Sequence, residues 1–179
     1  MKIFFATTNK GKLREAKEIL GVKINPLVLD VDEVQTLDPV VCVEKKAEAA
    51  FKISKQPLFV EDTALFFEAW NGLPGVFITY FLKTIGPGGM VSLMKNEKNR
   101  SAYAQTSVCY YDGKKKVTTV GKIRGKVATK EQGKSGFGWD AIFIPNGYKK
   151  SFAEMGSKEK NKISMRKIAL QRLRTKLDL

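Results

Sequence analysis

Residues 1–20 read MKIFFATTNKGKLREAKEIL, and this stretch decides the fold class. The short apolar run Lys2–Ala6 predicts a buried strand, and the apolar spacing in Lys12–Leu20 predicts a helix. The polar residues TTNKG therefore connect a strand to a helix. A second helix is predicted for Val40–Ser54, where apolar side chains recur at helical spacing before Pro57.

The rest of the chain adds strands and one more long helix to this beginning. β-Rich runs between Ala102 and Arg124 flank a hairpin signal at Asp112-Gly113. Turns are predicted at Asn71–Gly75 and Gly86–Gly89, the second leading into a short helix. Further predicted elements are strands at Leu27–Leu29, Leu58–Val60 and Ala141–Ile144, and a C-terminal helix carrying Ile163, Leu170, Leu173 and Leu177. Ala64–Phe67 continues the apolar character of Leu58–Val60 beyond a polar interruption. This order predicts an α/β fold, a mixed twisted β-sheet with flanking helices.

The composition narrows the functional class. The chain contains no histidine, which excludes histidine general bases, Ser-His-Asp triads and most zinc sites. Cys42 and Cys109 lie far apart in sequence and are expected to be buried thiols. No apolar run is long enough for a membrane helix, and the N-terminal segment lacks the pattern of a signal peptide, so we expect a cytoplasmic protein without a membrane partner.

The formal net charge of +14 suits a polyanionic partner, which is either a nucleic acid or a phosphate-rich small molecule. A solvated lysine-rich surface explains the same charge for most of these residues. Charge alone leaves these alternatives open.

Two segments offer groups for phosphate and metal binding. Backbone N–H groups, hydroxyls, an amide and lysines meet at a helix N-terminus in the run Thr7, Thr8, Asn9, Lys10, Gly11 and Lys12. An N-capped helix with exposed lysines has the same pattern. The adjacent carboxylates of Glu61 and Asp62 are expected at the end of a strand, where repulsion between them favours a metal or lysine partner, although a surface turn fits too. The acidic loop Asp30–Pro39 contains Asp30, Asp32 and Glu33, whose oxygen atoms suit magnesium. An exposed acidic loop explains Asp30 and Asp32 better, and the residues alone leave the role of Glu33 open.

Two later segments offer groups for a flat ligand. In Ser135–Asp140 (SGFGWD), glycines on both sides of Phe137 allow close backbone approach, and the aromatic rings offer stacking surfaces. Aromatic residues packed into the core explain that segment equally well. Lys158–Arg166 (KEKNKISMR) presents cationic and hydroxyl donors near a helix start, which also suits a capped surface helix.

Taken in order, four segments resemble the inosine triphosphate pyrophosphatase family. They are ATTNKGKLREA, VEDTALFFEAWNGLPG, SGFGWDAIFIPNGYKKSFAEM and EKNKISMR. The resemblance implies hydrolysis of the non-canonical purine nucleotides ITP, dITP and XTP to a monophosphate and pyrophosphate. It also implies an elongated two-lobed single domain over residues 1–179, a substrate cleft between the lobes, Mg²⁺ as cofactor and a homodimer without a stable nucleic-acid partner.

The resemblance also implies a role for individual residues. Asp62 and Lys12 would be catalytic, and Glu33 and Asp62 would hold the metal. The residues that it implies for substrate binding are Thr7, Thr8, Asn9, Lys10, Gly11, Lys12, Lys45, Thr63, Phe137, Gly138, Trp139, Asp140, Lys160, Ser164, Met165 and Arg166. Met165 stands where the family usually has a histidine that contacts the base, so we expect a narrower preference for ITP and XTP over ATP.

Two other functions compete with this hypothesis. A basic nucleic-acid-binding module explains the charge but not the carboxylates at the candidate site positions, which repel phosphate unless a cation lies between. A pyrophosphatase for a modified pyrimidine nucleotide shares the chemistry and differs in the base.

Overall fold

The computed structural model describes residues 3–179; Lys2, with which the first predicted strand begins, lies outside them. The strands are β1 (Ile3–Ala6), β2 (Ile24–Leu27), β3 (Leu58–Phe67), β4 (Pro74–Gly75), β5 (Ser101–Tyr111), β6 (Lys116–Val127) and β7 (Phe143–Pro145). The helices are α1 (Lys10–Leu20), α2 (Pro39–Ser54), α3 (Ile78–Thr84), α4 (Gly86–Leu93), α5 (Phe152–Ile163) and α6 (Met165–Leu177). Short 3₁₀ turns lie at Glu68–Trp70 and Asp140–Ile142.

The strands form one mixed sheet in the order β2-β1-β3-β5-β6-β7, with β4 paired to β3. β1 runs parallel to both β2 and β3, with Phe5 opposite Pro26 on one side and Phe59 on the other. β3 is antiparallel to β4, and β6 is antiparallel to β7. The predicted mixed α/β sheet with flanking helices is confirmed.

Local sequence explains where the first two helices begin and end. α1 starts at the N-cap Asn9, whose side chain accepts a hydrogen bond from the Lys12 N–H, and ends at Gly21 in the left-handed conformation. α2 starts at the N-cap Asp38, and Pro39 occupies the first turn, where its missing N–H costs nothing. Both helices therefore have fixed starting points beside the sheet.

The chain divides into two compact units, 1–63 with 106–121 and 165–179, and 64–105 with 122–164. In the first unit the strands alternate between two apolar layers, as the period of a strand requires. One layer packs α1 and α6 against Phe5 and Phe59, whose rings stack with centroids 4.4 Å apart. The other packs α2 against Leu58 and Val60. This part of β3 is therefore covered by helices on both faces.

The second unit has an aromatic interior. Trp139, Phe143 and Phe152 contact one another with ring centroids 5.4–6.3 Å apart. Elsewhere in this unit Phe66 stacks on Tyr103 with ring centroids 4.3 Å apart. This packing supports the loop that contains the SGFGWD segment.

Four sequence-based predictions require correction. The strand predicted at Leu58–Val60 extends to Phe67, because β3 is continuous through the polar residues. The predicted turn Gly86–Gly89 is the start of α4, since Pro87 is tolerated in a first helical turn. The strand predicted at Leu27–Leu29 is β2, which begins earlier and accepts Pro26 because β2 lies at the sheet edge. The single C-terminal helix is two helices, separated by the extended residue Ser164.

Within residues 3–179 there is no helix with the length and apolar character needed to cross a lipid bilayer.

Candidate active site

The structure divides the predicted site residues between the two units. The first unit contains a set that we name the carboxylate group, with Lys12, Glu33, Cys42, Lys46, Glu61 and Asp62. The second unit contains a set that we name the aromatic group, with Phe137, Asp140 and Lys160. Each is described by itself.

In the carboxylate group, the N-terminus of α1 brings a lysine to the acidic pair of β3. Lys12 Nζ lies 3.5 Å from Glu61 Oε1 and 3.9 Å from Asp62 Oδ1. Thr7 Oγ1 accepts a hydrogen bond from the Asn9 N–H, and this folds the preceding loop onto the helix start. Thr8, Asn9 and Lys10 are exposed. The two interpretations of this segment are therefore compatible, because the same residues form an N-capped helix and place a cation beside two carboxylates.

Strand geometry sends the two adjacent carboxylates to opposite faces of β3. Glu61 faces the layer of α1 and α6, where it is 2% exposed. Asp62 faces α2 and is partly accessible. The predicted repulsion between the neighbours is thus relieved by divergence as well as by Lys12.

Glu61 belongs to a buried ionic network. Its oxygens accept hydrogen bonds from Arg166 Nε at 2.7 Å and Nη2 at 2.8 Å, and Arg166 Nη1 also pairs with Glu15 on α1. Thr63 Oγ1 donates to Glu61 Oε1 at 2.9 Å. Burial by itself raises the pKa of Glu61, but Arg166 and Lys12 outweigh it and lower that pKa to about 2. Arg166, predicted to line a base pocket, instead lies in the first unit with its guanidinium engaged by carboxylates.

Asp62 is held through both carboxylate oxygens. The Thr63 N–H donates to Oδ1 at 3.1 Å, and the Cys42 thiol donates to Oδ2 at 3.1 Å. Burial, followed by the negative charge of Asp62, raises the pKa of Cys42 to about 12. Cys42 is consequently a neutral donor to a carboxylate, and sequence reasoning had assigned it only to the interior.

Lys46 is the cation beside these carboxylates that sequence reasoning missed. It pairs with Glu33, and although burial lowers its pKa, the charges of Asp62 and Glu33 raise it overall. Lys45, the predicted phosphate ligand, has a side chain that is 56% exposed and pairs with Glu48 at 3.2 Å. The available signal was helical periodicity, because position 46 shares the buried face of α2 and position 45 faces away.

The donor set is compatible with magnesium. Glu33 and Asp62 supply hard oxygen ligands and share one cationic neighbour, Lys46. No cluster of three His, Cys, Asp or Glu side chains that could hold a metal ion occurs in residues 3–179. Magnesium keeps several waters and shares ligands with substrate phosphates, so two carboxylates are compatible with it.

In the aromatic group, an ion pair lies beneath an accessible ring. Lys160 Nζ lies 2.6 Å from Asp140 Oδ2, with both side chains buried, and 4.6 Å from the centroid of Phe137. The Phe137 N–H donates to the same Asp140 oxygen at 2.9 Å. Gly136 has φ +81°, and any Cβ there would collide with the Asp140 carboxylate. The loop therefore provides a flat ring and a closely packed backbone, and α5 places a fixed cation against them.

Among the remaining predicted residues, Trp139, Ser164 and Met165 are buried and Gly138 is exposed. Trp139 is 6% exposed and packs against Phe143, as the alternative interpretation of a core aromatic required. Gly138 has φ +63° beside Phe137, and the buried Ser164 closes α5 through its N–H. Met165 is 1% exposed in the first unit, where its carbonyl lies against Gly121 of β6. Met165 and Arg166 thus belong to the first unit, and the aromatic group belongs to the second.

The chain belongs to the Ham1 family, whose model matches residues 3–176. A dITP/XTP pyrophosphatase of Thermococcus kodakarensis is 42% identical over 176 residues, covering 96% of this chain and 94% of that protein. An inosine triphosphate pyrophosphatase of Yarrowia lipolytica is 39% identical over 179 residues, covering 97% and 94%. The solved structure of a HAM1 protein from Coxiella burnetii aligns with TM-score 0.84 and 27% identity over 99% of this chain and 98% of that chain.

Proposed function

We propose that this protein hydrolyses the non-canonical purine nucleoside triphosphates ITP, dITP and XTP to the nucleoside monophosphate and pyrophosphate. The observation that carries the proposal is the position of Lys12, at a helix N-terminus and 3.9 Å from Asp62. A cation and N–H donors suit phosphates, while the neighbouring carboxylate suits a metal or an attacking water. The names of the relatives at 39–43% identity support the same chemistry.

The carboxylate group is assigned to the phosphates. The start of α1 and Lys12 would bind phosphate oxygens, and Lys46 would add charge that the sequence analysis assigned to Lys45. Glu33 and Asp62 would hold Mg²⁺, which supplies charge neutralisation and an activated water when bound. Lys46 pairs with Glu33 in this structure. Its positive charge therefore offsets part of the negative charge of Glu33 and Asp62 before a metal binds.

Asp62 is assigned as the group that accepts the proton of the attacking water. The water oxygen forms a bond to the α-phosphorus, and the bond from that phosphorus to the α,β-bridging oxygen breaks. The electron pair leaves with pyrophosphate, and the water proton passes to Asp62. Lys12 offsets the charge that develops on the phosphate oxygens, as cations do in phosphoryl transfer generally.

The aromatic group is assigned to the base. The Phe137 ring would stack on the purine, and Lys160 would donate to the keto oxygen at position six, which adenine lacks. Asp140 holds Lys160 in place at 2.6 Å. Arg166, already bonded to Glu61 and Glu15, would act through the carboxylate group and not on the base.

The competing nucleic-acid-binding function has no comparable support, because the two accessible carboxylates of the carboxylate group, Glu33 and Asp62, would repel an approaching phosphate unless a cation lay between. Isotope labelling tests the proposal directly. Hydrolysis of ITP in H₂¹⁸O should place the label in the monophosphate and leave pyrophosphate unlabelled. Label in orthophosphate, or release of orthophosphate as the first product, would show a different reaction.

A further inference from the structure

Cys42 lies next to the carboxylate that the proposed function makes central. It is the fourth residue of α2, 5% exposed, and its thiol points at Asp62 across the α2 face of β3. A cysteine so placed is usually explained as a small apolar side chain in a core. The distance of 3.1 Å from Sγ to Asp62 Oδ2 shows a hydrogen bond instead.

The other contacts of Asp62 show why this hydrogen bond matters for the orientation of the carboxylate. Oδ1 faces the Thr63 N–H at 3.1 Å and Lys12 Nζ at 3.9 Å. Among the described residues, Cys42 is the only donor to Oδ2. Without the thiol, rotation of the carboxylate would meet no directional restraint on that oxygen.

We propose that Cys42 is a positioning residue, whose thiol fixes the rotation of the Asp62 carboxylate so that Oδ2 remains directed for metal binding. The inference rests on the proposed function. A thiol is a weak donor, so it orients the oxygen while leaving it most of its capacity to bind a cation. Lys46, one helical turn later, pairs with Glu33, and α2 therefore controls both proposed metal ligands.

Infrared spectroscopy of the metal-free protein tests the hydrogen bond independently of activity. The S–H stretching band of Cys42 should lie at lower frequency than that of Cys109, because the Cys109 thiol donates to a neutral carbonyl at the longer distance of 3.6 Å. Cys42→Ala should remove the low-frequency band, and Asp62→Asn should shift it upwards. A band that Asp62→Asn leaves in place would overturn the proposal.

The Mg²⁺ dependence of ITP hydrolysis tests the consequence. Loss of a group that orients a metal ligand typically weakens metal affinity by about 10- to 100-fold. Cys42→Ala should therefore raise the half-saturating Mg²⁺ concentration by about tenfold or more, with a smaller effect on kcat at saturating metal. Cys42→Ser keeps a donor and should remain close to the original protein.

Cys109→Ala is the matched control, since it removes the other buried thiol of the same unit without touching a carboxylate. If Cys42→Ala and Cys109→Ala show the same Mg²⁺ dependence, or if serine fails to rescue, the proposal is wrong. These outcomes are separate from the proposed function, which fails instead if Asp62→Asn leaves pyrophosphate release intact.

Discussion

At the scale of single residues, two side chains that are adjacent in sequence have different surroundings. Glu61 and Asp62 are adjacent, yet one lies in a buried ionic network and the other is partly accessible beside α2. The pattern of an acidic pair predicted a charged site, but the pleat of β3 decides which carboxylate remains free for chemistry.

Arg166 should be a stability residue. Replacing it with methionine removes the guanidinium that pairs with the buried Glu61 and Glu15, and breaking such a pair commonly costs about 3–5 kcal/mol. Urea denaturation should show a loss of this order for Arg166→Met and little change for Arg174→Met, an exposed arginine on the same helix. Equal stability of the two variants would show that the ionic network does not stabilise the folded protein.

The loss of folding stability at acid pH should depend on the protonation of Glu61. Its pKa is 4.5 in the unfolded reference and about 2 in the folded protein. A lowered pKa contributes stability that is complete above pH 4.5 and is lost as the pH falls towards 2. The free energy of unfolding should therefore drop across this window, and Glu61→Gln should flatten the drop. Asp30→Asn, which changes an exposed carboxylate, should leave the slope unchanged.

At the scale of elements, helix starts and one glycine loop position the chemistry. α1 is fixed by Asn9 at its start and lies against α6 in the same apolar layer. The aromatic group depends in the same way on a backbone that only glycine adopts readily at position 136.

Lys12 should matter far more than another lysine of α1. Lys12→Met removes the cation beside Glu61 and Asp62, and loss of one charge-stabilising donor commonly costs about a hundredfold or more in kcat. Lys17→Met changes an exposed lysine on the same helix and should have little effect. Steady-state kinetics with ITP at saturating Mg²⁺ would distinguish them, and similar values would contradict the assignment of Lys12.

Gly136→Ala should weaken substrate binding. A Cβ there strains a φ of +81° and also collides with Asp140, whose carboxylate holds Lys160. Gly147→Ala is the matched control, because its φ of +83° imposes the same backbone strain with nothing within 4 Å of the added Cβ. KM for ITP should rise several-fold only in the first variant. A rise of the same size in both would mean that backbone strain alone is responsible.

At the scale of the whole molecule, the α/β class and the order of motifs were predictable because periodicity and turn residues are local signals. The details that depended on tertiary contacts were not. Whether Lys45 or Lys46 faces the carboxylates depends on which side of α2 is buried, and Arg166 has its partners on β3 and α1, far away in sequence. Gly86–Gly89 looked like a turn because helix starts tolerate the same residues.

The homodimer, the cytoplasmic location and the single domain over residues 1–179 stay predictions. The sequence offers Asn71–Leu82 (NGLPGVFITYFL) as a candidate dimer contact, and Tyr80 in this stretch is 60% exposed. Light scattering at micromolar concentration should give the mass of two chains, and the mass of one chain would contradict it.

The central claim is the hydrolysis of keto-purine triphosphates with release of pyrophosphate. The most direct measurement is kcat/KM for pyrophosphate release from ITP, dITP, XTP, GTP, ATP and dUTP, in the original protein and in Asp62→Asn. We expect ITP, dITP and XTP to exceed ATP by about tenfold or more, since a site built for a hydrogen bond rejects the mismatched base. Asp62→Asn should lose activity by about a hundredfold or more while remaining folded. Equal values for all six nucleotides, a preference for dUTP, or a folded Asp62→Asn protein with normal activity would contradict the account.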